Sequence, residues 1–277
     1  MNLQRGALAA VSASVERLRI RDTGLPSEVF EGLAQSDAGG HAVVSRLKEI
    51  DLSDSATLKA IEVCSITKAW PHISTLKLNG CVNTKMSPTY RPLSQVVQNL
   101  ETLEADGVHF ESDDLAAIFQ NTGGNLRRLS IAGCQSHDDL DLVEDLPNLR
   151  SLNISGCGSC LLFGLDPRQA LDELEANGVP LSDENVSNIC RNHGGTLHRL
   201  GIARCFLTRR GASLIASSLT SLQSLDISGC RTLSDADFMV FANLGETLRF
   251  LNVSATKVSN DTVDRLKVAL PNCEIVH

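Results

Sequence analysis

Leu222–Cys230 reads LQSLDISGC, Leu149–Cys157 reads LRSLNISGC and Leu126–Cys134 reads LRRLSIAGC. A reactive thiol is needed once in a chain, and metal ligands have to converge. A cysteine recurring at one phase of one phrase points instead to a structural position. The phrase generalises to L-x-x-L-x-L-x-x-C/T/V with aliphatic substitution. Copies start at Val15, Leu47, Ile73, Leu100, Leu126, Leu149, Leu171, Leu197, Leu222 and Leu248, and a truncated copy starts at Cys273. The first interval is 32 residues and the others run from 22 to 27. Repeats of this length stack as a solenoid.

One copy can be read chemically. Leu225 and Ile227 alternate with polar neighbours, so LDIS is a short strand with one buried face. Gly229-Cys230 then turns the chain away, and position 230 must be small and buried with only weak polarity, which suits cysteine. Cys81, Cys134, Cys157, Cys205 and Cys230 share this phase, and Val108, Val179 and Thr256 fill it elsewhere, so redox chemistry is not required there. These cysteines form a structural ladder.

The second half of each copy reads as a helix. Ser182, Ser234 and Ser259 offer N-caps, with acids in the first turn. They precede Val186, Ile189 and Cys190; Phe238, Phe241 and Leu244; and Val263, Leu266 and Leu270. Ser112 stands in the same relation to Leu115, Ile118 and Phe119. NTGGNL (121–126) and NHGGTL (192–197) follow as turns, with glycine as the helix stop. The fifth and sixth copies are short, so clipped convex segments and a local change of curvature are expected near residues 135–170.

The pattern L-x-x-L-x-L-x-x-C, with S/T-D-x-x-L/V shortly after, resembles the cysteine-containing leucine-rich repeat family of F-box proteins and antagonist-of-mitotic-exit-type proteins. The resemblance covers nearly the whole chain. The expected fold is α/β: a right-handed leucine-rich-repeat solenoid, or horseshoe, of about ten strand–helix repeats plus a truncated C-terminal one. A single domain over residues 1–277 is expected, with an N-terminal cap at about 1–14. The resemblance implies repeats that bind a protein, often a ubiquitination substrate, beside a separate F-box that recruits the ligase. LPSEVFEGLAQ (25–35) looks like the opening of an F-box and VCSITKAW (63–70) like its end. The repeat phrase LKEIDLSDS lies between them, and the span is long for a compact three-helix motif.

Composition narrows the function further. The net charge of −8 lacks the basic footprint of a nucleic-acid binder. No apolar run is long enough to span a membrane. Nine cysteines without a signal peptide suggest free thiols in an intracellular, reducing compartment, cytoplasmic first, with organellar import left open by the acid-poor N-terminus. The sequons at Asn153 and Asn252 fall on strands, where a glycan fits poorly. Cys157-Gly-Ser-Cys160 has no second pair to complete a metal site, and His137-Asp-Asp139 and Cys190-Arg-Asn-His193 read as loop and turn residues. No catalytic residue, metal site or cofactor is expected, nor a small-molecule ligand.

Surface residues remain. Those alternating with the buried leucines point to the concave face. They include Arg17, Arg19 and Arg21, then Glu104 and Asp106, Arg128, Glu173 and Glu175, Arg199, Asp226, and Phe250. The N-terminal strand is basic, repeats two, four and seven are acidic, and the C-terminal half carries small polar residues. The expectation is a non-catalytic scaffold or adaptor, a stoichiometric subunit of a larger assembly, binding proteins with basic segments through this face and its flanking loops. The alternative is the substrate-recognition subunit of an SCF-type ubiquitin ligase with a degenerate F-box.

Overall fold

Every copy of the phrase contributes a strand of three residues. The computed structural model describes residues 15–21, 47–55, 58, 63, 72–81, 99–110, 119–120, 122, 124–134, 146–157 and 169–277. Two compact units divide the chain, Met1–Asp138 and Asp139–His277.

The first unit holds β1 (Arg17–Arg19), β2 (Glu49–Asp51), β3 (Thr75–Lys77), β4 (Thr102–Glu104) and β5 (Arg128–Ser130). They pair in parallel, in chain order, with Leu18, Ile50, Leu76, Leu103 and Leu129 in register. The second unit holds β6 (Ser151–Asn153), β7 (Glu173–Glu175), β8 (Arg199–Gly201), β9 (Ser224–Asp226), β10 (Phe250–Asn252) and β11 (Glu274–Val276). Again the order follows the chain, aligning Leu152, Leu174, Leu200, Leu225, Leu251 and Ile275. The truncated copy at Cys273 therefore supplies a full strand. The aligned leucines are buried except in β1 and β11, where Leu18 and Ile275 are half-buried. A second apolar row, including Leu52, Leu78, Ile131, Ile154, Ile202, Ile227 and Val253, closes the core behind them.

After each strand from β2 to β10 the chain turns through one residue of positive φ. Gly80, Gly107, Gly133, Gly156, Gly178 and Gly229 lie between +70° and +72°, and Asp54, Arg204 and Ala255 hold the same place at 63°, 57° and 55°. Glycine occupies this conformation without the Cβ clash that other residues carry. The next residue closes the turn: the N–H groups of Cys81, Cys134, Cys157 and Cys230 donate to Leu78, Ile131, Ile154 and Ile227 carbonyls. All five ladder cysteines are buried. Their thiols donate across to the neighbouring repeat, Cys81 Sγ to Leu52 O at 3.2 Å and Cys230 Sγ to Ile202 O at 3.3 Å. Cys134 and Cys205 do the same toward Ala105 and Ala176.

The second unit holds four helices among the described residues: α1 (Asp183–His193), α2 (Arg209–Ser218), α3 (Asp235–Phe238) and α4 (Asn260–Ala269). Ser182 caps α1 in a reciprocal pair with Asn185, and Ser259 caps α4 by accepting from the Thr262 N–H. Thr208 caps α2 without any acid in the first turn, by accepting from the Arg210 and Gly211 N–H groups. α3 continues as a 3-10 turn over Met239–Leu244, because the buried Phe238, Phe241 and Leu244 recur every three residues.

Three expectations need correction or fall outside the described residues. Gly194 and Gly245 do not stop their helices through a left-handed cap, since both are right-handed at φ −53° and −58°. A Cβ on Gly194 would meet Ser218 O at 2.6 Å, so glycine there permits close approach of the next repeat. The clipped convex segments, the Leu115 and Ile118 helix face, His137 and Cys160 lie outside the described residues. So does most of the 25–70 span of the F-box reading, although strand β2 sits inside it, paired on both sides.

Candidate functional site

The residues alternating with the buried leucines form the open face of each unit. Same-phase side chains on neighbouring strands stand about 5 Å apart, so short ones are covered by long neighbours. Asp51, Ser53 and Ser130 are buried for this reason, as are Gly201 and Ala203.

In the first unit the charges face each other. Arg17 Nε lies 3.3 Å from Glu49, Arg19 lies 3.7 Å from the same carboxylate, and Arg21 reaches Asp51 at 3.7 Å and Asp54 at 2.9 Å. The basic N-terminal strand is thus compensated by the second repeat and is not a free stripe. Lys77 Nζ contacts Glu104 at 3.0 Å, and Asn79 Oδ1 accepts from the Asp106 N–H. Asp106 in turn accepts from Ser130 Oγ at 2.5 Å and the Ala132 N–H at 2.8 Å. Arg128 is exposed on β5.

The second unit is built differently. Glu173 accepts from Ser151 Oγ at 3.0 Å and lies 3.6 Å from Arg199 Nε. Glu175 folds over Gly201, where a Cβ would fall on its Oε2, and accepts from Asn177 Nδ2 at 2.8 Å. Burial pushes the Glu175 carboxyl above its ordinary range, and the charges of Asp226 and Glu173 add to the rise. Asp226 accepts from the Ser228 N–H and from Asn252 Nδ2 at 3.2 Å. Asn153, Asn177 and Asn252 each tie a turn backbone N–H through Oδ1. Phe250 is half-buried at the start of β10. The face therefore carries half-buried Glu175 and Asp226 beside small polar residues.

Residues resembling fragments of a catalytic constellation have structural surroundings. His193 is fully buried with Nδ1 3.2 Å from Gln169 O, so Nδ1 carries the hydrogen and donates; burial lowers its pKa. Cys190 is pushed up to about 12 by burial alone. Among the described residues, no group of three or more His, Cys, Asp or Glu side chains is arranged to hold a metal ion. No helix among them is long and apolar enough to cross a membrane.

Sequence reasoning missed the most exposed aromatic side chain of the described residues. Phe206, 74% exposed, follows the ladder Cys205 on the loop into α2. Arg231 and Lys257 fill that phase after Cys230 and Thr256. An aromatic residue at a polar loop phase is the signal that could have revealed it.

By fold the chain is a leucine-rich-repeat protein, an α/β solenoid of in-register parallel strands. No family model matches the sequence. Among solved structures it is similar to an internalin of Listeria monocytogenes, at 13% identity over 99% of this chain and 88% of that one, with a TM-score of 0.60. It is also similar to a chain in the Rad7–Elc1 complex of yeast, at 15% identity over 98% and 81%, TM-score 0.56. Internalin C2 of Listeria monocytogenes matches at 18% identity over 76% and 83%, TM-score 0.54.

Proposed function

We propose that the protein is a non-catalytic scaffold or adaptor, a stoichiometric subunit of a larger assembly, that holds a protein partner on the concave face of its sheet. The observation that carries this reading is the half-buried Glu175 and Asp226 beside small polar residues on the sheet face of the second unit. Small, half-buried residues at Ser224, Ser228 and Ser254 leave room for a partner's side chains. Glu175 and Asp226 lie beside them, with Glu175 held in a partly desolvated setting that raises its carboxyl pKa. A cationic side chain approaching Glu175 on this face would relieve that penalty, so partners with lysine- or arginine-rich segments fit best. Phe250 offers apolar contact at the rim. Buried ladder thiols suit a reducing, intracellular compartment.

The ligase reading needs three helices across residues 25–70, and the paired strand at Glu49–Asp51 weighs against it. The test is native affinity purification of the tagged chain with quantitative mass spectrometry at low and moderate salt. A stoichiometric partner that is lost from Glu175→Lys and Phe250→Ala variants supports the scaffold reading. A chain without any partner, or partners indifferent to both substitutions, refutes it. Stoichiometric recovery of a ligase adaptor selects the alternative.

A further inference from the structure

The loops that leave β8, β9 and β10 show a division of charge that the sheet face lacks. Three acids packed around them are engaged internally, whereas Asp261 in the first turn of α4 is exposed. Asp183 accepts the Thr208 hydroxyl at 2.8 Å, Asp235 accepts the Ser259 N–H at 2.8 Å, and Asp237 accepts from the Ser234 N–H and hydroxyl. Hydrogen bonds from Ser259 and Ser234 hold the Asp235 and Asp237 carboxyls below their ordinary range. Arg209 is paired with Asp237 at 3.5 Å. Arg204, Arg210, Arg231 and Lys257 are exposed and have no ion-pair partner among the described residues.

Phe206 sits among these cations. It shares a loop phase with Arg231 and Lys257, one strand spacing apart each, about 5 Å. The turns touch: Thr232 Oγ1 donates to Leu207 O at 2.5 Å, and a Cβ on Gly229 would lie 2.9 Å from Arg204 Cγ. The Arg204 stem is therefore laid along the next turn instead of reaching freely into solvent. Four other phenylalanines, Phe110, Phe119, Phe238 and Phe241, are at most 2% exposed. Phe206 alone of the described aromatics stands clear of the protein, on a loop edge anchored by helix caps.

We propose that this loop edge is a second interaction surface, which binds an acidic protein segment carrying an apolar side chain that packs on Phe206. Arg204, Arg231 and Lys257 supply charge complementarity, and Phe206 supplies the anchor. A protein segment fits better than nucleic acid, because the edge offers one aromatic platform where single strands stack base after base, on a protein of net charge −8. The surface is distinct from the open face of the sheet and takes a partner of opposite charge.

Fluorescence anisotropy tests it with two labelled probes: a glutamate-rich peptide with a central leucine, and a single-stranded oligothymidylate. The intact chain should bind the peptide at low salt, and Phe206→Ala should weaken binding about tenfold. The Arg231→Glu/Lys257→Glu double variant should abolish it. Since all three side chains are exposed, the variants should melt with the parent chain, which circular dichroism checks. The proposal is overturned if the peptide does not bind, if both variants bind it like the parent, or if the oligonucleotide binds more tightly than the peptide.

Discussion

Two adjacent glycines in NHGGTL should respond oppositely to alanine. Gly194 has φ −53° and ψ −36°, which alanine adopts freely, yet its Cβ would stand 2.6 Å from Ser218 O and 2.8 Å from Cys190 O. Carbon–oxygen contacts ordinarily begin at about 3.3 Å, so α1 and the end of α2 must part by roughly half an ångström or more. Such overpacking costs about 1–3 kcal/mol. Alanine's lower backbone entropy in the unfolded chain returns up to about 1 kcal/mol. Gly194→Ala should therefore lose about 1–2 kcal/mol. Gly195 has nothing within 4 Å of its would-be Cβ, so Gly195→Ala should be neutral or gain up to about 1 kcal/mol. Urea unfolding of both variants followed by circular dichroism reads the difference as shifts in midpoint. Equal midpoints for the two variants, or a Gly194→Ala chain as stable as the parent, would refute the close-approach explanation.

Other expectations follow from the same geometry. Iodoacetamide at mildly alkaline pH should modify half-exposed Cys273 well before Cys190 and Cys205, whose thiols burial pushes up to about 12 and about 11; peptide mass spectrometry gives the order, and earlier labelling of Cys190 would contradict it. Glu175 binds its proton more tightly folded than unfolded, so stability should fall as pH rises from its unfolded pKa through its folded one. Glu175→Gln should accordingly raise the melting temperature at neutral pH and lose that advantage in acid; a lower neutral-pH melting temperature would count against the desolvated carboxylate. Ser182→Ala removes the acceptor for the Asn185 N–H and should cost about 1 kcal/mol, with an unchanged urea midpoint as the contrary result.

The repeat made most of the fold legible. Leucines at a fixed phase can be buried together only by stacking strands in parallel, and Leu200, Leu225 and Leu251 meet as that phase demands. The ladder cysteine was readable because one position faces the same interior at every turn, so one small side chain recurs. Serine caps marked where α1 and α4 begin, whereas the start of α2 followed only from the repeat, because Thr208 precedes two arginines instead of acids. Gly194 was misread because the sequence shows that a glycine is present but not the carbonyl that approaches it.

Sequence by itself determined the strand phase, the buried rows and which side chains share a face. Those follow from alternation and period, which are local and repeat at every copy. Only the tertiary structure decided which charges on that face are free. Arg17 is compensated by Glu49, 32 residues away in sequence (49 − 17) and one strand away in space. Asp235 is held by the next repeat's Ser259, while Arg231 beside it has no partner among the described residues. Charge pairing depends on side-chain reach between repeats, and the one-dimensional pattern does not encode that distance.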